Sequence, residues 1–483
     1  MLEILVTFAG YLGVSVGQLI GFLGVLSAGA IVPNLKCLGG NKKGLSTLKD
    51  IKHLLANDGF QISKNISVSF KNLFEHLAII GPTGAGKSTA VFIPNLLQDN
   101  SFNNSNSSIV ITDPKGEIFD ITSNYQRSLG REVKVFSPYS PGGSIHYNPL
   151  DFCRNKSEVI ALARDILVSG NKAIELRNGS GGNKDSVWLN MATPLFASVL
   201  LYVYKLGKPH NTISNALRIL VNKDEDSLKE LLLNEKDSDV IFQYRMYEKC
   251  VTSPATTGSI QITLVSNVQS FLTPDLEQIT AYSDFNFEDL RKKKTILYLI
   301  YPVEKAYDLA PITSIFFDQL FNKCKVLDKE EHLPICCLFE EFGNVGSIPN
   351  FSIHAATLRS NKISLVVCLQ DKTQLKSLYG SHSETIFNNL KNLVLFGGAK
   401  DIETLRTISV LCGKEDVVNI STSNNGKGNT STTKSLKSEE VMQISDLKNI
   451  SENEVFIMLK NQKPLLDSVN PYYKDYDYMN NIM

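Results

Sequence analysis

The run Leu77-Ala78-Ile79-Ile80-Gly81-Pro82-Thr83-Gly84-Ala85-Gly86-Lys87-Ser88 decides the fold. Four consecutive apolar residues read as a strand buried on both faces, the kind found inside a parallel sheet. The glycines after it let backbone N–H groups turn inward around an anion with no Cβ in the way. Beyond Lys87, the residues Ala90, Val91, Ile93, Leu96 and Leu97 recur at helical spacing, so a helix follows with its positive N-terminus aimed at the anion. Gly81, Gly86, Lys87 and Ser88 thus satisfy the G-x-x-x-x-G-K-[ST] phosphate-binding pattern in its proper context. The cofactors this predicts are ATP and Mg²⁺. Gly81, Pro82, Thr83, Gly84, Ala85, Gly86, Lys87, Ser88 and Thr89 are the expected cradle, with Lys87 reaching the β- and γ-phosphates and the Ser88 hydroxyl ligating the metal.

Such chemistry also needs an acid at a strand end to hold Mg²⁺ through water and to activate the attacking water. Ile335-Cys336-Cys337-Leu338-Phe339-Glu340-Glu341 has that form. Glu340 stands where Asp is usual and reaches one methylene further, and Glu341 is the expected water-activating group. Asp113, in Thr112-Asp113-Pro114-Lys115-Gly116-Glu117, is a weaker candidate for the metal. In the loop after it, Lys115 or Glu117 is placed to sense nucleotide or a neighbouring subunit, with an ordinary turn as the alternative. Arg359 follows an amphipathic stretch and is a candidate arginine finger acting across a subunit interface, with a surface salt bridge as the alternative. Gln370 ends an apolar strand run and is a candidate to report the γ-phosphate or orient water, with an ordinary strand cap as the alternative.

Outward from these motifs, strand and helix alternate in the grammar of an α/β fold, with further apolar runs at 109–111, 295–301, 335–339, 363–369 and 393–396. Between them the period changes to helical, in 159–168, 187–204, 213–220 and 240–247, interrupted by a glycine-rich loop at 177–183. An all-α domain is therefore expected inside a nucleotide domain that is discontinuous in sequence. The stretch 421–435, rich in Ser, Thr, Asn, Gly and Lys, reads as an exposed loop, and 45–57 as polar and helix-like. The expected divisions are a membrane anchor at 1–35, the two parts of the nucleotide domain at 36–155 and 276–470, the insertion at 156–275, and a tail at 471–483.

Residues 4–33 carry no charge and are long enough for one transmembrane helix, and Lys36, Lys42, Lys43, Lys49 and Lys52 follow directly. That arrangement predicts a single-pass protein of the cell membrane with its large domain in the cytoplasm, the alternative being a buried glycine-rich helix of a soluble protein. Lys+Arg and Asp+Glu both number 49, so no global basic field argues for nucleic acid. The run Arg291-Lys292-Lys293-Lys294 reads as a solvated helix end in preference to a DNA groove. The eight cysteines are scattered with no C-x-x-C pair, the pattern of reduced, buried thiols.

The ordered set of motifs resembles the TraG/TraD-like coupling ATPases of type IV secretion and conjugation. It comprises the phosphate loop with Pro94-Asn95-Leu96-Leu97, Asp113 to Glu117, Tyr147-Asn148-Pro149-Leu150-Asp151, Trp188, Phe342-Gly343-Asn344, Arg359, Gln370, Tyr379-Gly380 and Gly413, and spans about residues 77–459. The resemblance implies a RecA-like nucleotide domain, an all-α domain, and a membrane-anchored homo-hexameric motor. Its implied partners are relaxase-bound single-stranded DNA or protein effectors and the secretion channel. Lys87, Ser88, Glu341 and Arg359 carry over by position, while Glu340 departs from the family's Asp. Family members commonly have two spans where one is evident here. The alternatives are a nucleotide-gated recruitment adaptor with little turnover, and a related motor for DNA segregation or packaging.

Overall fold

A computed structural model describes residues 44–98, 101–179, 186–325, 332–425 and 429–482. The expected membrane span at 4–33 and most of the glycine-rich loop at 177–183 lie outside the described residues. Nine strands form one mixed sheet: β1 (Leu77–Ile80), β2 (Ser108–Asp113), β3 (Glu132–Phe136), β4 (Thr295–Ile300), β5 (Ile335–Phe339), β6 (Ile363–Leu369), β7 (Asn392–Phe396), β8 (Glu454–Leu459) and β9 (Leu465–Ser468). Their spatial order is β9-β8-β7-β1-β6-β5-β2-β4-β3. The seven from β7 to β3 are parallel, and β8 and β9 add an antiparallel edge.

Alternation of side chains across the pleat divides each central strand between two cores. In β1, Leu77 and Ile79 enter the core that contains Phe60, Val91 and Leu96, whereas Ala78 and Ile80 enter the core that continues into the insertion. Covering both faces is what demands the unbroken apolar runs.

The insertion contains α1 (Lys156–Asn178), α2 (Ser186–Leu206), α3 (Ile213–Asn222), α4 (Glu225–Leu233), α5 (Ser238–Cys250) and α6 (Pro254–Val268). Residues 187–206 of α2 are long and apolar enough to cross a membrane, yet most of their apolar stretch is buried inside the molecule, so α2 is the core helix of this bundle. Gly170 lets α1 approach the end of α6: a Cβ there would meet the Asn267 carbonyl oxygen at 2.1 Å. The stretch Tyr147 to Asp151 fastens the insertion to the sheet. Buried Tyr147 donates to Gln319 at 2.6 Å, the Asn148 amide donates to the Asn211 carbonyl at 2.8 Å, and the Gln319 amide returns to the Pro149 carbonyl at 3.0 Å.

Two readings of the sequence are corrected, and a third, the solvated helix end at 291–294, holds for its helix and its exposed lysines but not for its arginine. The polar stretch 421–435 is not a loop but belongs to an antiparallel hairpin, Lys414–Asn425 paired with Asn429–Glu440 in unbroken register. Its strands pair only with each other, so no buried face imposes the apolar alternation that marks a strand in sequence. Within 45–57 the structure forms a short 3₁₀ turn, Lys52–Leu54, and enters the strand Leu55–Gln61 in place of a helix. Finally, Arg291 of the basic run turns inward. Its guanidinium donates to the carbonyls of Cys324, Leu333 and Asn361, tying three segments together, while Lys292 and Lys293 stay exposed.

Candidate functional site

The phosphate loop leaves the carboxyl end of β1, where ligands sit in parallel α/β sheets. Gly84 and Gly86 hold φ of +82° and +83°, a left-handed conformation that side-chain-bearing residues rarely adopt. The helix that follows begins with a wide π turn, Ser88–Phe92, and continues as Ile93–Leu97. Asn95 fixes that helix to the neighbouring strand, since its side chain accepts from Gln61 N and donates to Gln61 O, both at 2.7 Å. The Pro-Asn-Leu-Leu motif therefore sets where the loop stands.

At the loop, the Lys87 ammonium donates to the carbonyls of Gly81 at 2.6 Å and Pro82 at 2.9 Å. The Ser88 hydroxyl donates to the Glu340 carboxylate, joining the loop to the end of β5 two strands away. Glu340 is itself placed by its backbone N–H, which donates to Thr112 Oγ at 2.9 Å on β2. Burial pushes the Glu340 carboxyl up, aided by Glu341 and Asp113 and opposed by the Ser88 hydrogen bond and the Lys87 charge. Glu341, half-buried, accepts from the Asn344 amide, so the motif Phe342-Gly343-Asn344 orients the second acid.

The structure thus brings Lys87, Ser88, Glu340 and Glu341 to one edge of the sheet. Gln370 joins them at the end of β6, exposed and lining the same cleft as Thr83 to Gly86. Asp113 is engaged elsewhere. Its carboxylate accepts from Phe119 N at 2.7 Å, closing the turn before the helix Glu117–Ser128, and the Ser88 hydroxyl goes to Glu340 in its place. Lys115 and Glu117 flank that turn and are exposed.

Arg359 is not near the loop of its own chain. It precedes β6, is 63% exposed, and forms a two-point ion pair with Glu75 at 2.8 and 2.9 Å. Glu75 precedes β1, so the pair stands at the amino edge of the sheet, about 13 Å or more from the phosphate loop by the length of β1.

One residue of the site escapes sequence reasoning. Tyr301, directly after β4, is 1% exposed and its hydroxyl has no partner among the described residues. Burial and the neighbouring carboxylates of Glu341, Glu340 and Asp113 all push its ionisation up. A polar tip facing acids at the end of an apolar strand carries no motif, so its only sequence signal is the Tyr-Pro pair that ends the run 295–301.

Strand order, loop and paired acids define a P-loop nucleotide-binding protein of the α/β class. The chain belongs to the type IV secretory system conjugative DNA transfer family, whose profile matches residues 40–483. It is 24% identical to protein VirD4 of Rhizobium rhizogenes over 423 residues, covering 83% of this chain and 59% of that protein. It is 20% identical to conjugal transfer protein TraG of Rhizobium radiobacter over 405 residues, covering 82% and 60%. The chain therefore spans about three-fifths of the length of these relatives. Among solved structures, the bacterial conjugative coupling protein TrwB in an unbound form superposes with a TM-score of 0.69 at 15% identity, covering 88% of this chain and 92% of that one. TrwB in complex with ADP and Mg²⁺ gives 0.66 at 15% identity, with coverage of 88% and 92%. At this identity the likeness is one of fold.

Proposed function

We propose that this chain is a coupling ATPase that binds ATP with Mg²⁺ at Gly81 to Thr89 and uses its hydrolysis to pass DNA or protein substrates to a type IV secretion channel. The observation that carries the reading is the bond from Ser88 to Glu340, which joins the phosphate loop to the acidic strand end. That fits a divalent ion, because an oxygen-rich pair of this kind is what Mg²⁺ takes from protein. Mg²⁺, when bound with ATP, neutralises phosphate charge. Lys87 moves from the Gly81 and Pro82 carbonyls to the phosphates, Glu341 accepts the proton of the attacking water, and Gln370 reports the terminal phosphate. Arg359 serves a neighbouring subunit, since it stands at the far edge of its own sheet. The structures of TrwB in complex with ADP and Mg²⁺, and with the non-hydrolysable ATP analogue ADPNP, support this reading.

The rest of the reading is a homo-hexamer tethered to the cell membrane by residues 4–33, with its body in the cytoplasm and a relaxase-bound single strand or an effector protein as cargo. Lys87→Ala is expected to lose ATP hydrolysis and substrate transfer while keeping the fold, and transfer by that variant would sink the mechanism. Phosphate release measured with and without single-stranded DNA separates a motor from a recruitment adaptor. A motor gives release that DNA stimulates, whereas negligible release in both arms would mean that Glu340 in the Asp position has left a binding switch.

A further inference from the structure

The cleft that contains the phosphate loop, ≈ 810 Å³, is larger than the loop needs, and lies in the range of pockets that hold whole small-molecule ligands, about 300–1,000 Å³. Its direction follows from the strand order. The acids Glu340 and Glu341 lie to one side of β1, beyond β6, so a terminal phosphate belongs on that side. The cleft runs from Gln370 and Asp371 at the end of β6, past the phosphate loop, to the opposite side over the carboxyl end of β7. There its walls are Gly397, Gly398 and Asp401 from the loop after β7, and Pro471, Tyr473 and Lys474 from the C-terminal segment.

That segment is built in. The turn Tyr472–Lys474 packs against the first turn of the phosphate-loop helix. Just beyond it, Tyr478 is buried and donates to Gln61, and the Asn481 amide donates to the Leu97 carbonyl at 2.7 Å. The same Gln61 is the residue held by Asn95, so the tail and the phosphate-loop helix share an anchor. The anchored tail nonetheless presents Tyr473 with 53% of its surface exposed, its ring meeting Tyr472 edge-on at 5.6 Å. An aromatic ring carried on an anchored segment, exposed and lining a phosphate-binding cleft, is a stacking platform for a base.

The geometry points to the C-terminal turn Tyr472–Lys474 as the nucleoside wall of the phosphate-loop site, with Tyr473 stacking on the base of the bound nucleoside triphosphate. This rests on the ATP-binding reading above. Every base offers a π face, so the wall selects nucleotides over bare phosphates without selecting among bases. The test is calorimetric titration of the full chain with ATP, GTP and inorganic tripolyphosphate, each with Mg²⁺. Tyr473→Ala is expected to weaken ATP and GTP alike by about tenfold or more and to leave tripolyphosphate unchanged, while Tyr473→Phe binds as the parent does. Unchanged ATP affinity in Tyr473→Ala, or an equal loss of tripolyphosphate, overturns the nucleoside wall and leaves the phosphate loop standing. If the parent chain binds neither ATP nor tripolyphosphate, the underlying reading falls and the wall with it.

Discussion

His76 shows how a single side chain can carry a seam. At φ +62° it sits just before β1, with one ring nitrogen at 3.0 Å from the Ala355 carbonyl and the other accepting from Leu365 N at 3.1 Å. The two partners fix the neutral tautomer, Nε2 donating and Nδ1 accepting. Burial, with the Arg359 charge nearby, pushes its pKa down to about 4. A histidine lowered in the folded state contributes stability that is present above its unfolded pKa and lost as pH falls through the folded one. Unfolding by urea is therefore expected to become easier from about pH 6.5 towards pH 4, by roughly 3 kcal/mol at most. His76→Asn, which tolerates the positive φ, should be less stable at neutral pH and lose most of that pH dependence. A variant with the parent's slope would assign the acid sensitivity to other groups.

Among the elements, the phosphate loop was legible because steric need, charge and hydrogen bonding all constrain the same few residues. The central strands were legible because burial on both faces leaves only apolar side chains. The insertion announced itself by a change of period, and α2 could be read as a helix though not as the centre of its bundle. The hairpin Lys414–Asn425 and Asn429–Glu440 was not legible, because two strands that bond only to each other can be written in Ser, Thr and Asn. Nor was the place of the C-terminal segment, since its anchors, Tyr478 to Gln61 and Asn481 to Leu97, join residues far apart in the chain. Trimming the hairpin between Val417 and Lys437, which face each other in register, is expected to change unfolding stability by less than about 1 kcal/mol. A larger loss in urea titration would show that the hairpin supports the sheet.

At the scale of the molecule, the two edges of the sheet carry different parts of the proposed chemistry. The carboxyl edge holds Lys87, Ser88 and the paired acids, and the amino edge holds Arg359 with Glu75. On the reading proposed above, such a chain is complete only beside a second copy, head to tail, as in a ring. Lys87→Ala and Arg359→Ala chains, each inactive alone, are expected to regain ATP hydrolysis on mixing. With random assembly about a quarter of the subunit junctions pair an intact loop with an intact arginine. Steady-state phosphate release checks this, and no recovery in mixtures shown to co-assemble would remove Arg359 from the reaction.

The strand order has a consequence for the nascent chain. None of β1, β2 and β3 neighbours another, and each pairs only with strands made after the insertion. While the ribosome is still producing α1 to α6, the amino-terminal third has no main-sheet partner to bond, and the strand that bears the phosphate loop waits for Ile363–Leu369. The helices in between need only local contacts, which form fast. The chain's one tryptophan, Trp188, lies in that bundle, so on dilution from denaturant its fluorescence is expected to recover before binding of a fluorescent ATP analogue does. Simultaneous recovery would mean that the bundle does not form ahead of the sheet. Until the sheet closes, its apolar strands are the part of this protein that a chaperone would hold.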